Sequence, residues 1–263
     1  MITASSCYRL SVVLVCIGIV INSAESLACD SLWSESNMLS WRVLSVRRGF
    51  VNGMLAALAD QVFATRGTRL LLVSRLAAAV LLMFVARPAA AALLLFTLLV
   101  TSAALHLRNQ VSGDGSDQMT TIVTAGLFVS AVVSERFATI GFFFIAFQAV
   151  LAYSTSGVAK MVSPIWRSGR AVPLILSTDT YGVPKVGSWL SARPVCGQVV
   201  TWSVIVFEIA FPLTLLLPEA AAMTTLAIGV LFHAGIAAFM GLNIFVWAFV
   251  ATYPSLLYVR GLL

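Results

Sequence analysis

Long apolar stretches separated by short polar segments dominate the pattern of this sequence. Seven of them have about the length that crosses a bilayer and are bounded by charges or by Pro and Gly, so each predicts a transmembrane helix. They are residues 70–86, 89–105, 120–134, 137–158, 199–217, 220–240 and 241–259. The runs lack the alternation of barrel strands, which favours helices over a β-barrel.

The N-terminal region allows more than one interpretation. Residues 10–24 form an apolar run behind Arg9, and small residues at 26 and 28 suit a cleavage site. This run is therefore either a retained first helix or a cleaved signal peptide. Between residues 41 and 64 apolar side chains recur at helical spacing. That spacing predicts an amphipathic helix at the membrane interface or beside the bundle.

Composition supports a membrane protein. Of the 263 residues, 60% are apolar and only 10% are charged, whereas a soluble domain is about one quarter charged. In lipid every backbone N–H and C=O must be paired internally, which helices achieve. The sequence predicts an all-α protein, a polytopic transmembrane bundle of seven to nine helices in contact with the lipid bilayer. We divide it into an N-terminal hydrophobic and amphipathic segment, 1–68, and the bundle, 69–263.

Charge bears on orientation and on partners. The formal net charge is +6, but the basic residues are scattered over the loops, so no nucleic-acid partner is predicted. If each predicted span crosses once, most basic residues fall on one side, which places the 159–198 connection in the cytoplasm. The four cysteines show no metal-ligand spacing, so no metal is expected, and a disulfide from Cys29 is left open. We expect a multi-pass membrane protein.

The connection at about 159–198 is rich in residues that interrupt helices and in tryptophan. Proline and glycine break regular helices, while tryptophan is enriched at membrane interfaces. The connection therefore predicts an interfacial or re-entrant cap with aromatic anchors. The residues concerned are Pro164, Trp166, Gly169, Pro173, Gly182, Pro184, Trp189 and Pro194.

Two ionisable residues lie inside predicted spans, where a charge is costly. Glu208 lies near the middle of 199–217, and His233 lies inside 220–240, one turn after Gly229. Such residues either line a functional pocket or form interhelical hydrogen bonds and nothing more, and both interpretations stay open. In either case we predict that both side chains face the bundle interior and meet polar partners.

The segment around Lys160 aligns three residues on one helix face. Tyr153, Gly157 and Lys160 are separated by four and then three residues, which places them along one side of a helix. A lysine in partly apolar surroundings can be neutral and act as a base, whereas a lysine at a helix end can also extend to water. If Lys160 is a base, we predict that it shares a pocket with Tyr153, Glu208 or His233.

The polar loop at 106–118 holds a third group of candidates. Asp114 and Asp117 stand beside glycines just ahead of the next predicted helix. Paired acids can bind a cation, but an oxygen cage normally needs more ligands than this loop offers. We therefore predict that Asp117 caps the N-terminus of that helix.

The Lys160 segment resembles a known membrane family. The sequence SGVAKM at 156–161, followed by Trp166 and then Gly169, resembles the motif of the vitamin K-dependent γ-carboxylase-like family, often called the HTTM family. The resemblance covers roughly residues 69–260, and the Lys160 and His233 segments are its specific parts.

Two other segments carry the resemblance further. Residues 232–245, which contain His233, resemble the family's last helices, and Glu208 matches an acidic position in the preceding helix. The DGSDQ loop at 114–118 resembles the subgroup that contains the membrane protein maturing the sporulation-delaying peptide toxin. The family's intramembrane histidine ahead of the lysine helix has no counterpart in residues 134–152.

The resemblance implies an enzyme. In the carboxylase, the lysine that matches Lys160 is the base that handles vitamin K hydroquinone, whose oxygenation drives proton removal from a peptide glutamate. This implies Lys160, His233 and Glu208 as catalytic residues and a vitamin K-type quinone or hydroquinone as cofactor. The residues implied to bind it are Tyr153, Gly157 and Trp166.

The implied function is modification or maturation of a secreted peptide. The enzyme would be a carboxylase or quinone-epoxidase-like lyase, with a peptide substrate and a partner protein. The alternative is a non-catalytic membrane partner for peptide export or immunity. That alternative predicts that Lys160 can be replaced without loss of function.

Overall fold

The computed structural model describes residues 2–34, 37, 39–47, 54–109, 114–133 and 138–263. These residues form helices and no β-strand, which confirms the all-α class. Short 3₁₀ turns occur at Asp30–Trp33, Ser45–Arg47 and Phe211–Leu215. The α-helices are α1 (Ala4–Ala28), α2 (Trp41–Leu44), α3 (Met54–Phe63), α4 (Thr65–Phe84), α5 (Pro88–Arg108), α6 (Gly115–Val132), α7 (Thr139–Val162), α8 (Pro164–Arg167), α9 (Ala171–Leu176), α10 (Pro184–Ser191), α11 (Pro194–Ala210), α12 (Glu219–Met240), α13 (Asn243–Val250) and α14 (Tyr253–Arg260).

Six helical segments within the described residues are long and apolar enough to cross a membrane. They are α1, α4, α5, α7, α12 and the segment Pro194–Leu215, which joins α11 to the 3₁₀ turn after it. Large apolar side chains stay exposed on these helices; Leu70 is 70% exposed and Phe84 80%. Lipid contact accounts for this exposure, which a water-soluble protein would avoid. The chain is thus a multi-pass integral membrane protein.

The prediction of one span at 241–259 is wrong. Gly241 ends α12 in the left-handed conformation, with a φ of 70°. The segment then forms α13 and α14, each of eight residues, and such a helix is only about 12 Å long. The break falls just before Pro254 in the first turn of α14, because proline has no N–H to continue an incoming helix.

The helix after the polar loop also differs from its prediction. α6 overlaps the predicted span at 120–134 but is not among the six candidate spans, because its first turn is polar. The prediction that Asp117 caps it is wrong: the cap is Asp114, whose Oδ1 accepts the backbone N–H groups of Ser116 at 2.9 Å and Asp117 at 3.2 Å. Asp117 lies in the first turn instead, where burial raises the pKa of its carboxyl.

The predicted amphipathic segment at 41–64 is described at its two ends only. It contains α2 and α3, while residues 48–53 lie outside the described part. Trp41 donates its Nε1–H to Asp60 Oδ1 at 2.8 Å, so the two ends are joined directly. Arg108 is buried and donates to the carbonyl oxygens of Leu39 at 3.0 Å and Phe63 at 3.2 Å. Arg108 is therefore a structural contact and not an exposed loop charge.

By packing, the chain separates into two compact units. One consists of Met1–Ser11 with Phe142–Leu263, and the other of Val12–Gly141. The boundary at 68/69, drawn from the sequence, stays a prediction. All the candidate catalytic and cofactor residues belong to the first unit. In the second unit, Arg75 is buried in α4 and donates to Asn22 Oδ1 at 2.7 Å.

Residues 163–193, which we call the cap segment, connect α7 to α11 through α8, α9 and α10. Pro164 and Pro184 begin α8 and α10, where their missing N–H costs nothing. Gly169 turns the chain between α8 and α9 with a φ of 75°, and its carbonyl accepts a hydrogen bond from Thr201 Oγ1 at 3.1 Å. The predicted breaks by proline and glycine are thus confirmed, while the depth of the segment in the bilayer stays a prediction.

Candidate functional site

Lys160 and Glu208 form an ion pair between α7 and α11. The Lys160 ammonium donates to both carboxylate oxygens of Glu208, at 2.8 Å to Oε1 and 2.7 Å to Oε2. The Lys160 side chain is 19% exposed and that of Glu208 only 6%. Lys160 therefore points into the helix bundle and not into bulk water, as predicted for a lysine that shares a pocket.

Ser156 and Trp166 complete the surroundings of the ammonium group. Ser156, one turn before Lys160, accepts a hydrogen bond from Nζ at 2.5 Å and donates to Glu208 Oε1 at 3.2 Å. The Trp166 ring lies 5.1 Å from the ammonium, within range of a cation–π interaction. One residue each from α7, α8 and α11 thus holds the Lys160 ammonium in position.

Gly157 allows the two helices to come this close. A Cβ at this position would lie 2.8 Å from Ile209 Cγ1 and 2.9 Å from the Ile209 backbone nitrogen. The second neighbour is backbone, so it cannot rotate away. The absence of a side chain at Gly157 therefore sets the distance between α7 and α11, and with it the Lys160–Glu208 contact.

Replacement of Gly157 by alanine should separate the helices. We expect G157A to lower the free energy of unfolding by about 1–3 kcal/mol, because the added methyl group overpacks the contact. The measurement is thermal or detergent-induced unfolding of the purified protein. G235A is the matched control, because Gly235 also lies inside a long helix, α12, but a Cβ there meets nothing within 4 Å. Equal stability of G157A and G235A would contradict the assigned role of Gly157.

A second polar group links α7, α12 and α14. The Tyr153 hydroxyl lies 2.7 Å from His233 Nε2 and 3.1 Å from the Tyr253 hydroxyl. Gly229 makes room for this group, because a Cβ there would collide with the Tyr253 hydroxyl. All three polar side chains are buried, so each depends on these partners for its hydrogen bonds.

Aromatic rings enclose the Tyr153–His233 pair. The Tyr153 ring stacks on Phe211 with 3.6 Å between centroids, and the His233 ring stacks on Phe249 at 4.4 Å. Such packing fixes the plane of each ring and excludes water from it. The hydrogen bond between Tyr153 and His233 therefore lies in apolar surroundings.

One ring nitrogen of His233 makes no hydrogen bond to any described residue. This nitrogen, Nδ1, is buried and has no hydrogen-bond partner within the part of the chain that the structure describes. Because a buried polar atom without a partner is costly, such atoms in native proteins call for an explanation.

A cavity of about 630 Å³ joins these groups. Its volume falls within the range of roughly 300–1,000 Å³ that is usual for small-molecule sites. Apart from the polar group, its wall is mainly apolar and comes from α9, α10, α11, α12 and α13. The polar and tryptophan side chains that line it are Tyr153, Ser156, Lys160, Trp166, Ser203, Glu208 and His233.

Comparisons with known proteins identify no relative of this chain. No family model matches the chain, no curated protein matches it, and no solved structure matches it. The resemblance to the γ-carboxylase-like family therefore rests on residues of this sequence alone.

The structure brings together five of the six predicted site residues. Glu208 and His233 face the interior with polar partners, which confirms that prediction. Lys160, Tyr153 and Trp166 line the same cavity. Gly157 does not line it and acts instead through helix packing. The catalytic and cofactor roles stay predictions.

Ser156, Tyr253 and Phe249 belong to the site but were not predicted as site residues. Ser156 lies four residues before Lys160 on the same helix face, so its contact could have been found from spacing. Tyr253 and Phe249 lie on α14 and α13, which the sequence pattern merged into one span. No group of histidine, cysteine and acidic side chains in the described residues is suited to a metal ion.

Proposed function

We propose that this protein is a membrane enzyme of the γ-carboxylase-like type that modifies or matures a secreted peptide in a bacterial membrane, with a quinone as co-substrate. One observation carries the proposal: a single cavity places Lys160 beside Glu208 and also exposes His233 and Tyr153 to the same space. The family resemblance implies catalysis at Lys160, Glu208 and His233, and it implies cofactor binding at Tyr153.

The cavity suits an apolar ring that bears hydroxyl or carbonyl oxygens. Phe245, Phe249 and Trp166 offer aromatic faces for the ring. Lys160 Nζ, in the wall of the same cavity, offers a hydrogen-bond donor to these oxygens. A reduced naphthoquinone would supply acidic ring hydroxyls and reducing equivalents, and its shape and polarity fit these groups.

Lys160 must lose a proton before it can act as a base. The basic groups within hydrogen-bond distance that can take this proton are the two Glu208 oxygens, at 2.7 Å and 2.8 Å. In a site of low dielectric constant, transfer of one proton to Glu208 replaces an ion pair by two neutral groups and lowers the cost of burying them. The neutral Nζ can then accept a proton from a ring hydroxyl. Ser156 holds Nζ in position during this exchange.

Co-purification tests the proposal. The protein is purified in a mild detergent, and bound small molecules and peptides are identified by mass spectrometry. We expect a quinone with the native protein and its depletion in G235L, because Gly235 lines the cavity and has open space where the new side chain would extend. A227L is the control, since Ala227 is exposed on α12 and does not line the cavity.

Two other outcomes would reject the proposal. A bound peptide without any quinone would favour the non-catalytic partner for export or immunity. Equal amounts of quinone in the native protein and in G235L would show that the quinone lies outside the cavity, for example among membrane lipids that co-purify with the protein.

A further inference from the structure

The cap segment carries a group of arginines that the proposed function does not use. Arg167 ends α8, Arg170 precedes α9 and Arg193 precedes α11. All three side chains are exposed, and none forms an ion pair with another described residue. The cap segment contains one acidic residue, Asp179. The cap segment therefore carries a concentration of exposed positive charge.

Backbone contacts hold these arginines near the first turns of α11. Trp202 Nε1 donates to the carbonyl oxygen of Arg167 at 3.2 Å, which ties α8 to α11. Thr201 does the same for Gly169, the neighbour of Arg170. Arg193 immediately precedes α11. The backbone at or beside each of the three arginines is thus held against α11 or leads directly into it.

The position of the cap segment in the chain brings it to a membrane surface. It links the end of α7 to the start of α11, and both helices are candidate spans. Its short helices expose apolar and aromatic side chains beside the arginines: Ile165 is 47% exposed and Trp189 49%. The Arg193 guanidinium stacks on Trp189 at 4.5 Å. Tryptophan and arginine side by side are typical of the headgroup region.

We infer that the arginines Arg167, Arg170 and Arg193 bind anionic phospholipid headgroups. Guanidinium groups match phosphate oxygens in bidentate geometry, and their charge attracts lipids with a net negative charge. Trp189 and Ile165 enter the apolar zone below the headgroups and keep the arginines at phosphate level. The inference does not depend on the enzymatic role of the cavity.

The cap segment also forms part of the cavity wall, through Trp166 on α8, Ile175 on α9 and Leu190 on α10. A headgroup bound by the arginines therefore rests on the outer side of the helices whose inner side meets the cavity. Anionic lipid should therefore stabilise this part of the cavity wall. The lipid site and the cavity lie on opposite sides of the same short helices.

The test measures lipid preference in the full chain. The protein in neutral detergent is mixed with equimolar dioctanoyl phosphatidylglycerol and dioctanoyl phosphatidylcholine, and the bound lipids are counted by native mass spectrometry. We expect a preference for phosphatidylglycerol in the native protein. Each arginine removed should lower it about fivefold, so the triple variant R167Q/R170Q/R193Q should lower it about a hundredfold.

Two further triple variants test whether the lipid preference depends on these three positions, and not on the net charge of the protein or on a loss of folding. R42Q/R66Q/R87Q removes the same charge from exposed arginines outside the cap segment and should keep the preference. The charge-conserving triple R167K/R170K/R193K should keep part of the preference, because lysine retains the charge but not the bidentate geometry; a retained preference shows that substitution at these three positions leaves the region folded. No preference in the native protein, or equal losses in the two glutamine triples, would overturn the inference.

Discussion

Replacement of Glu208 by leucine should destabilise the protein by about 3 kcal/mol, because it leaves the Lys160 ammonium without its carboxylate partner. Lys160 is only 19% exposed, so water cannot fully replace the lost contact. Lys160→Met should cost a similar amount, since it leaves the Glu208 carboxylate unpaired. The measurement is reversible unfolding of purified protein in mixed detergent micelles, followed by intrinsic fluorescence.

The double variant K160M/E208L distinguishes coupling from simple loss of packing. With both charges gone, no buried charge lacks a partner, and the loss should fall below that of either single variant. K185M and E219L are the controls, because Lys185 and Glu219 are exposed; each should change stability by less than about 1 kcal/mol. Additive losses in the double variant would mean that the two charges do not stabilise each other.

The sequence was sufficient for the membrane class and for the positions of most long helices. Five of the seven predicted spans coincide with candidate spans, because an apolar run of bilayer length bounded by charges has few other solutions. It was insufficient at 241–259, where hydropathy is uniform and the break depends on backbone geometry at Gly241 and on Pro254. Pro254 could have indicated a helix start.

The sequence was sufficient to predict most residues of the site, but not which of them contact one another. Lys160, Glu208 and His233 stand out because polar groups inside apolar helices are expensive and need partners. Which partner each would find depends on how α7, α11 and α12 rotate against one another, and a single sequence does not contain that information. Tyr153 thus pairs with His233 rather than with Lys160, and Ser156 takes the place beside Lys160.

The same reasoning explains the Asp114 correction. Both Asp114 and Asp117 precede the predicted helix, and either side chain is a good N-cap. The choice depends on where the helix begins, and hydropathy places that point too late because the first turn of α6 is polar. Boundaries are generally set by hydrogen bonds of a few residues, which hydropathy does not register.

Lys160→Arg should abolish turnover while leaving the protein folded and inserted. The guanidinium keeps the positive charge and can still bond both Glu208 oxygens, so the contact between α7 and α11 survives. It remains protonated at any working pH, however, and cannot accept a proton. We expect bound quinone to be retained. The oxidation of a naphthohydroquinone by dissolved dioxygen, measured by absorbance with a glutamate-containing peptide present, should fall at least about a hundredfold.

Lys185→Arg is the matched control for this experiment, because Lys160 and Lys185 are the only lysines in the sequence and Lys185 is exposed outside the cavity wall. It should oxidise the hydroquinone at the native rate. A purely structural ion pair makes a different prediction, since arginine would satisfy Glu208 as well as lysine does. Turnover by K160R close to that of K185R would therefore reject the base role and leave Lys160 as a structural partner of Glu208.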